Sequence, residues 1–341
     1  MICNIKNLIT QPAKISNNLN LIIQNMSGSE FCSLMTRQTG EPLAGTAPFA
    51  KHFVFITWPK KYWQYEALDS KGGFPEGLKE WMKAQSEISG KVSIRLVSRK
   101  ELSNESADLF IYPEKIHYSN ILPEEITDVL KSHFLHESNS GNTTDKIEKD
   151  HILVCTHGRH DKCCAKFGQE LADNLRNHLK DQQDTIEVLD SSHLGGHRFA
   201  PTMIDFPAGR AYGQLTPEEI PDYLESRKQG MVYAPAYRGS VFLPELVQVA
   251  EAYVQRFRSS KQWNCQVNIS NVEKLNDEKF GCIASFNSPE NSLASQTDIP
   301  DELPFTFKLK GYEGPAGCNG LNQPKMRKCW ELETPLPVNI M

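Results

Sequence analysis

Cys155 and Cys164, then His193 and His197, stand in one stretch of 43 residues, each pair in a polar loop that follows an apolar run. A fold that uses all four must bring two separate loops to one point. Ile152 to Val154 reads as a buried strand, and the residues after Asp161 read as a helix start. That helix carries Phe167, Leu171, Leu175 and Leu179 four residues apart, a single apolar stripe for packing on a sheet. Ile186 to Leu189 reads as a second strand leading to the histidine loop, where Gly195 and Gly196 let the backbone turn tightly. If the two strands are parallel members of one sheet, their C-terminal ends share an edge and the cysteine and histidine loops meet there.

Two thiolates and two imidazoles suit two metal systems, and the spacing does not choose between them. Zinc takes Cys2His2 ligation in structural sites, and a [2Fe-2S] cluster takes two cysteines on one iron and two histidines on the other in Rieske centres. Eight residues between the cysteines make a wider loop than zinc fingers use, which suits the two-iron object better. Of the neighbours, His157 and His160 read as solvated loop residues. Arg198 is either a residue that tunes the centre or a plain surface arginine. A Cys163–Cys164 disulfide would be strained, because adjacent Cα atoms lie about 3.8 Å apart, below the usual range of about 4.4 to 6.8 Å. Cys163 therefore reads as a buried free thiol.

The strings CTHGRHDKCCAKFG and HLGGHRFAPT resemble the sucrase/ferredoxin-like family, as do FCSLMTRQTGEPLAGTA upstream and DFPAGRAYGQLTPEE and YRGSVFLPELVQVAEAYV downstream. The resemblance runs from about residue 30 to 255. It implies a thioredoxin-like ferredoxin half with a [2Fe-2S] cluster on two cysteines and a His-x3-His loop, carried here onto Cys155, Cys164, His193 and His197. Relatives with Arg-Cys-Gly in place of Cys163-Cys164-Ala165 favour Cys164 as the second thiolate. It also implies an electron carrier that exchanges electrons with a redox partner protein. With imidazole replacing thiolate at one iron, the potential should be comparatively high. It should fall by about 59 mV per pH unit if one proton accompanies one electron.

The expected organisation is α/β: tandem thioredoxin-like domains, the first without ligands, plus a small β appendage. In the first half, Phe53 to Trp58, Val92 to Val97 and Leu109 to Tyr112 read as strands, and Leu78 to Ile88 and Pro123 to Leu135 as helices. In the second, strand, helix, strand, a hairpin around Ala208-Gly209-Arg210 and a helix from Pro217 to near Gln229 follow in thioredoxin-like order. The boundaries are a mobile tail over 1–28, a first domain over 29–136, a polar linker over 137–150, the ferredoxin domain over 151–257 and the appendage over 258–341. Cys32 reads as structural. Cys318 and Cys329 read as buried or free thiols.

A net charge of -5 without a basic, aromatic-laced stripe argues against nucleic acid as a partner. No apolar run reaches the ~20 residues of a membrane span, and the N-terminus lacks a signal-peptide core. Nine cysteines, odd in number and unevenly spaced, argue for a reducing compartment, the cytoplasm. The carboxylates offer no placeable pair for glycoside hydrolysis. Two rivals to the electron carrier remain: a structural zinc module on the same four residues, and a thiol-disulfide oxidoreductase, for which a Cys-x-x-Cys at a helix start is missing.

Overall fold

Runs dense in β-branched and aromatic residues become the strands of the first half: β1 (His52–Thr57), β2 (Val92–Ser98), β3 (Ala107–Tyr112) and β4 (Ile116–Ile121). The computed structural model describes residues 31–88, 92–99, 102–135, 144–182, 184–263, 265–287 and 299–333. The expected tail over 1–28 lies outside them. Helices α1 (Cys32–Thr39), α2 (Leu78–Ile88) and α3 (Ile126–Leu135) complete this half, α3 following a 3-10 turn over Pro123–Glu125. Residues 137–143 of the expected linker are likewise outside the described residues. Thr144–Lys146 forms a strand, β5, that pairs antiparallel with β4.

The second half repeats the pattern with β6 (Asp150–Cys155), α4 (Gln169–His178), β7 (Ile186–Ser191), the hairpin β8 (Thr202–Phe206) and β9 (Arg210–Gly213), α5 (Ile220–Lys228) and β10 (Tyr237–Ser240). The apolar stripe does what its period requires, since Leu171, Leu175 and Leu179 are all buried against the sheet. β6 and β7 are parallel, with Cys155 opposite Ser191, so the cysteine and histidine loops leave the same sheet edge.

All ten strands form one sheet, in the order β10-β9-β8-β6-β7-β2-β1-β3-β4-β5. The order β2-β1-β3-β4 of the first half recurs as β7-β6-β8-β9, with the same parallel and antiparallel pairings. The halves join where β2 and β7 pair antiparallel over Val97↔Ser191 and Ser98↔Asp190. Four strand spacings separate β1 from β8, about 19 Å on a flat sheet. Yet the rings of Phe55 on β1 and Phe206 on β8 have centroids 4.8 Å apart. The sheet therefore folds over at the junction and packs its two halves face to face. Their shared core holds Phe53, Phe55, Tyr112, Leu153, Phe206 and, at its edge, Cys155 and Cys164.

Helix α6 (Glu245–Ser260) leads to a second, antiparallel sheet of β11 (Gln266–Asn276), β12 (Lys279–Asn287), β13 (Glu302–Pro315) and β14 (Pro324–Leu332). Tyr253, Val254 and Phe257 of α6 lie in one buried cluster with Phe280, Phe305 and Phe307 of that sheet and Leu175 of α4. Among the described residues, no helix is long and apolar enough to cross a membrane.

Candidate metal centre

β6 delivers Cys155, fully buried, to the sheet edge. The chain then crosses the loop from Thr156 to Asp161 and enters a π-helical turn, Cys164–Gly168, before α4 begins. This turn presses against the strand end so closely that a Cβ at Gly168 would collide with the carbonyl oxygen of Cys155. Side chains of successive helical residues diverge by about 100°, and Cys163 and Cys164 accordingly face different groups. Cys164 joins Cys155 and His193, with His193 Nδ1 3.9 Å from each sulfur. Cys163 turns to Cys32 and Cys318.

The histidine loop is shaped by its glycines. Gly195 and Gly196 have φ of 87° and 74°, and a Cβ at Gly196 would come within 2.5 Å of Arg238 Nη2. His197 then opens a 3-10 turn, His197–Phe199. Its Nε2 lies 3.3 Å from the carbonyl oxygen of Ala316, while its Nδ1 is buried with no hydrogen-bond partner among the described residues. His197 groups with His160 and His193, their ligand atoms within 4.8 Å of one another. The four candidates thus form a chain of neighbours, with His193 between the thiols and His197.

Charge at the thiol end is already arranged for a cation. Burial pushes the Cys155 thiol up, but hydrogen bonds from Cys164 and His193 outweigh it and hold Cys155 well below the ordinary thiol range. Cys164, the donor to Cys155 and itself buried, is pushed up. The two thiols are thus pushed in opposite directions, Cys155 toward thiolate, which is the ligand form of cysteine.

His157 departs from the solvated reading. It is 2% exposed, lies edge-on to Trp63 with centroids 5.6 Å apart, and accepts the backbone N–H of His193 at Nδ1 over 3.3 Å. Its burial lowers its pKa to about 4. His160 is half-buried. It stacks on His193 at 3.7 Å between centroids, with Tyr65 stacked on its other side at 4.7 Å. Arg198 is held by Glu41, with Nε and Nη2 each 2.8 Å from Oε1, and lies over the Phe199 ring.

Sequence reasoning passed over Arg238. From β10 it lies 2% exposed behind the histidine loop, donating to Gly195 O at 3.3 Å, to Thr46 Oγ1 at 3.0 Å and to the carbonyl of Thr46. Burial lowers its pKa to about 9. Nothing in the string around Tyr237-Arg238-Gly239 marks it, because its role lies in contacts with residues far away in sequence. Cys318 and Cys329 also part company: Cys329 lies 3.7 Å from Glu41 Oε1 and Cys318 beside Cys163.

The profile of the family described as sucrase/ferredoxin-like matches residues 43–239, more than half of the chain. The chain is 36% identical over 101 residues to "Altered inheritance of mitochondria protein 32" of Debaryomyces hansenii, covering 28% of this chain and 37% of that protein. It is 29% identical over 97 residues to the protein of the same name in Clavispora lusitaniae, covering 27% and 36%. The chain thus spans little more than a third of the length of these relatives. Among solved structures it is similar to a thioredoxin-like [2Fe-2S] ferredoxin from Aquifex aeolicus at 19% identity and a TM-score of 0.24, over 26% of this chain and 90% of the other.

Proposed function

This chain belongs to the sucrase/ferredoxin-like family, and we propose that it is an electron carrier with a [2Fe-2S] cluster on Cys155, Cys164, His193 and His197. The observation that carries this reading is the shape of the ligand set: two buried thiols against one imidazole, with the second imidazole reached only through the first. One zinc ion needs four donors around a single point. Two irons suit donors spread along a line, thiolates at one end and imidazoles at the other.

The cluster, when bound, supplies reversible one-electron transfer. The chain's own residues do the rest. His197 Nε2–H donates to the Ala316 carbonyl, which would leave Nδ1 for the metal and hold the ring in that tautomer and orientation. His160 buttresses the His193 ring by stacking. The Phe55 and Phe206 core excludes water from the thiol side. On the outer side, a cleft of about 360 Å³ beside the cysteine loop is lined by Lys60, Trp63, Arg159 and Gln169, a surface on which a redox partner protein can dock. In this reading the repeated strand order marks two thioredoxin-like units, the first without ligands. The second sheet is an addition at the C-terminal end, and the reducing cytoplasm suits the free thiols.

Anaerobic purification with measurement of visible absorption and iron tests this. Red-brown protein with about two irons per chain is expected, its colour lost or altered in Cys164→Ser and His197→Ala and kept in Cys163→Ser. The midpoint potential should fall by about 59 mV per pH unit where a ligand imidazole releases its proton. Colourless protein that stays iron-free after anaerobic reconstitution would sink the reading.

A further inference from the structure

Beside the four-residue centre, three thiols from distant parts of the chain converge. Cys32 opens α1, Cys163 precedes the π-helical turn, and Cys318 begins the 3-10 turn between β13 and β14. Their sulfurs are 3.1 Å apart for Cys163–Cys318, 3.6 Å for Cys32–Cys163 and 3.7 Å for Cys32–Cys318. Asp161 completes the group: all four side chains are buried, and their ligand atoms lie within 4.8 Å of one another.

Apolar packing alone does not account for this. A buried carboxylate among sulfurs is costly unless it is partnered. Asp161 is held by two backbone amides that the cysteines themselves provide, Cys163 N–H to Oδ1 at 2.8 Å and Cys318 N–H to Oδ2 at 3.1 Å. Each carboxylate oxygen keeps a free lone pair. Zinc bound to sulfur at about 2.3 Å sets sulfur atoms about 3.8 Å apart on a tetrahedron. Two of the three edges are close to that length, and the third opens to it by side-chain rotation. All three thiols are free, and 3.1 Å is far beyond a disulfide bond of about 2.05 Å.

We propose that Cys32, Cys163 and Cys318, with Asp161 as the fourth ligand, form a structural zinc site distinct from the cluster centre. Thiol protons pass to solvent as the ion binds, and the metal changes no oxidation state. The ion ties α1, the start of the π-helical turn and the β13–β14 connection together. That connection also carries Ala316, whose carbonyl faces His197. The zinc site therefore clamps the segment that covers the outermost imidazole, and it uses none of the four cluster residues.

Zinc and iron are measured separately in the full-length chain purified without chelator, with circular dichroism to establish that each variant is folded. About one zinc per chain is expected in the wild type and in Cys155→Ser, falling to nearly none in folded Cys318→Ser and Cys32→Ser. Should those serine variants fail to fold, Co2+ loaded into a chain carrying both Cys155→Ser and Cys164→Ser decides, and a thiolate-to-cobalt charge-transfer band is the expected result. The proposal is overturned by zinc that persists in folded Cys318→Ser, by zinc lost in Cys155→Ser, or by the absence of that cobalt band. A Cys163–Cys318 disulfide in the purified chain, seen as a mass deficit before reduction, also overturns it. Iron content reports the cluster independently, so either site can fail alone.

Discussion

His157 shows what burial does to a single imidazole in this protein. Unfolded, it titrates near its ordinary value of 6.5; folded, under Trp63 and against the His193 backbone, its pKa is about 4. Between those values the unfolded chain binds the extra proton, so folding stability is full at neutral pH and declines as the pH drops from about 6.5 to about 4. The loss attributable to His157 is at most about 3 kcal/mol. Urea unfolding of wild type and His157→Asn across that window checks it, and the variant should show the shallower pH dependence. The loop's polar composition made His157 look solvated, because a local string carries no record of the Trp63 ring that covers it.

Among the elements, the π-helical turn matters most to the centre. One residue beyond α-helical spacing places Cys164 over the end of β6, and Gly168 makes the approach possible because it lacks the Cβ that would strike the Cys155 carbonyl. Gly168→Ala is expected to cost about 1–3 kcal/mol by overpacking. It should also lower iron retention, since the turn must move away from Cys155. Thermal unfolding and iron content, measured on the same preparation, test both effects. The strands and helices themselves were largely legible. The helix over Leu78–Ile88 has the expected bounds, and the strands ending at Cys155 and Ser191 extend the expected ones by a residue or two. Periods of 2 and 3.6 are local properties of a string. Strand β5 was not legible, since Thr144–Lys146 is polar and owes its strand form to pairing with β4.

For the whole molecule, the second sheet and the ten-stranded sheet share one buried cluster with α6. Phe257 meets Phe305 at 6.2 Å between centroids and Phe286 at 6.5 Å, and the Tyr253 hydroxyl donates to Trp330 O at 3.2 Å. Phe257→Ala should cost about 3–5 kcal/mol. Tryptophan fluorescence, with Trp330 in the second sheet, and far-ultraviolet circular dichroism should shift together in denaturant unfolding. If the fluorescence transition moves and the circular dichroism transition does not, the two sheets do not share one cooperative core.

By itself, the amino-acid sequence determined the second half from β6 to the helix after Pro217, though not β10, and the attachment of each candidate loop to the strand before it, because apolar periodicity and glycine placement act over a few residues. Spacing and the family resemblance together marked Cys155, Cys164, His193 and His197 as candidates, the resemblance choosing Cys164 over its neighbour Cys163. Only the tertiary structure decided that the sheet folds over at β2 and β7 so that Phe55 meets Phe206, that Arg238 braces the histidine loop, and that Cys32, Cys163 and Cys318 converge on Asp161. Those contacts join residues far apart in the chain. They arise from how whole elements pack together, which no local spacing encodes.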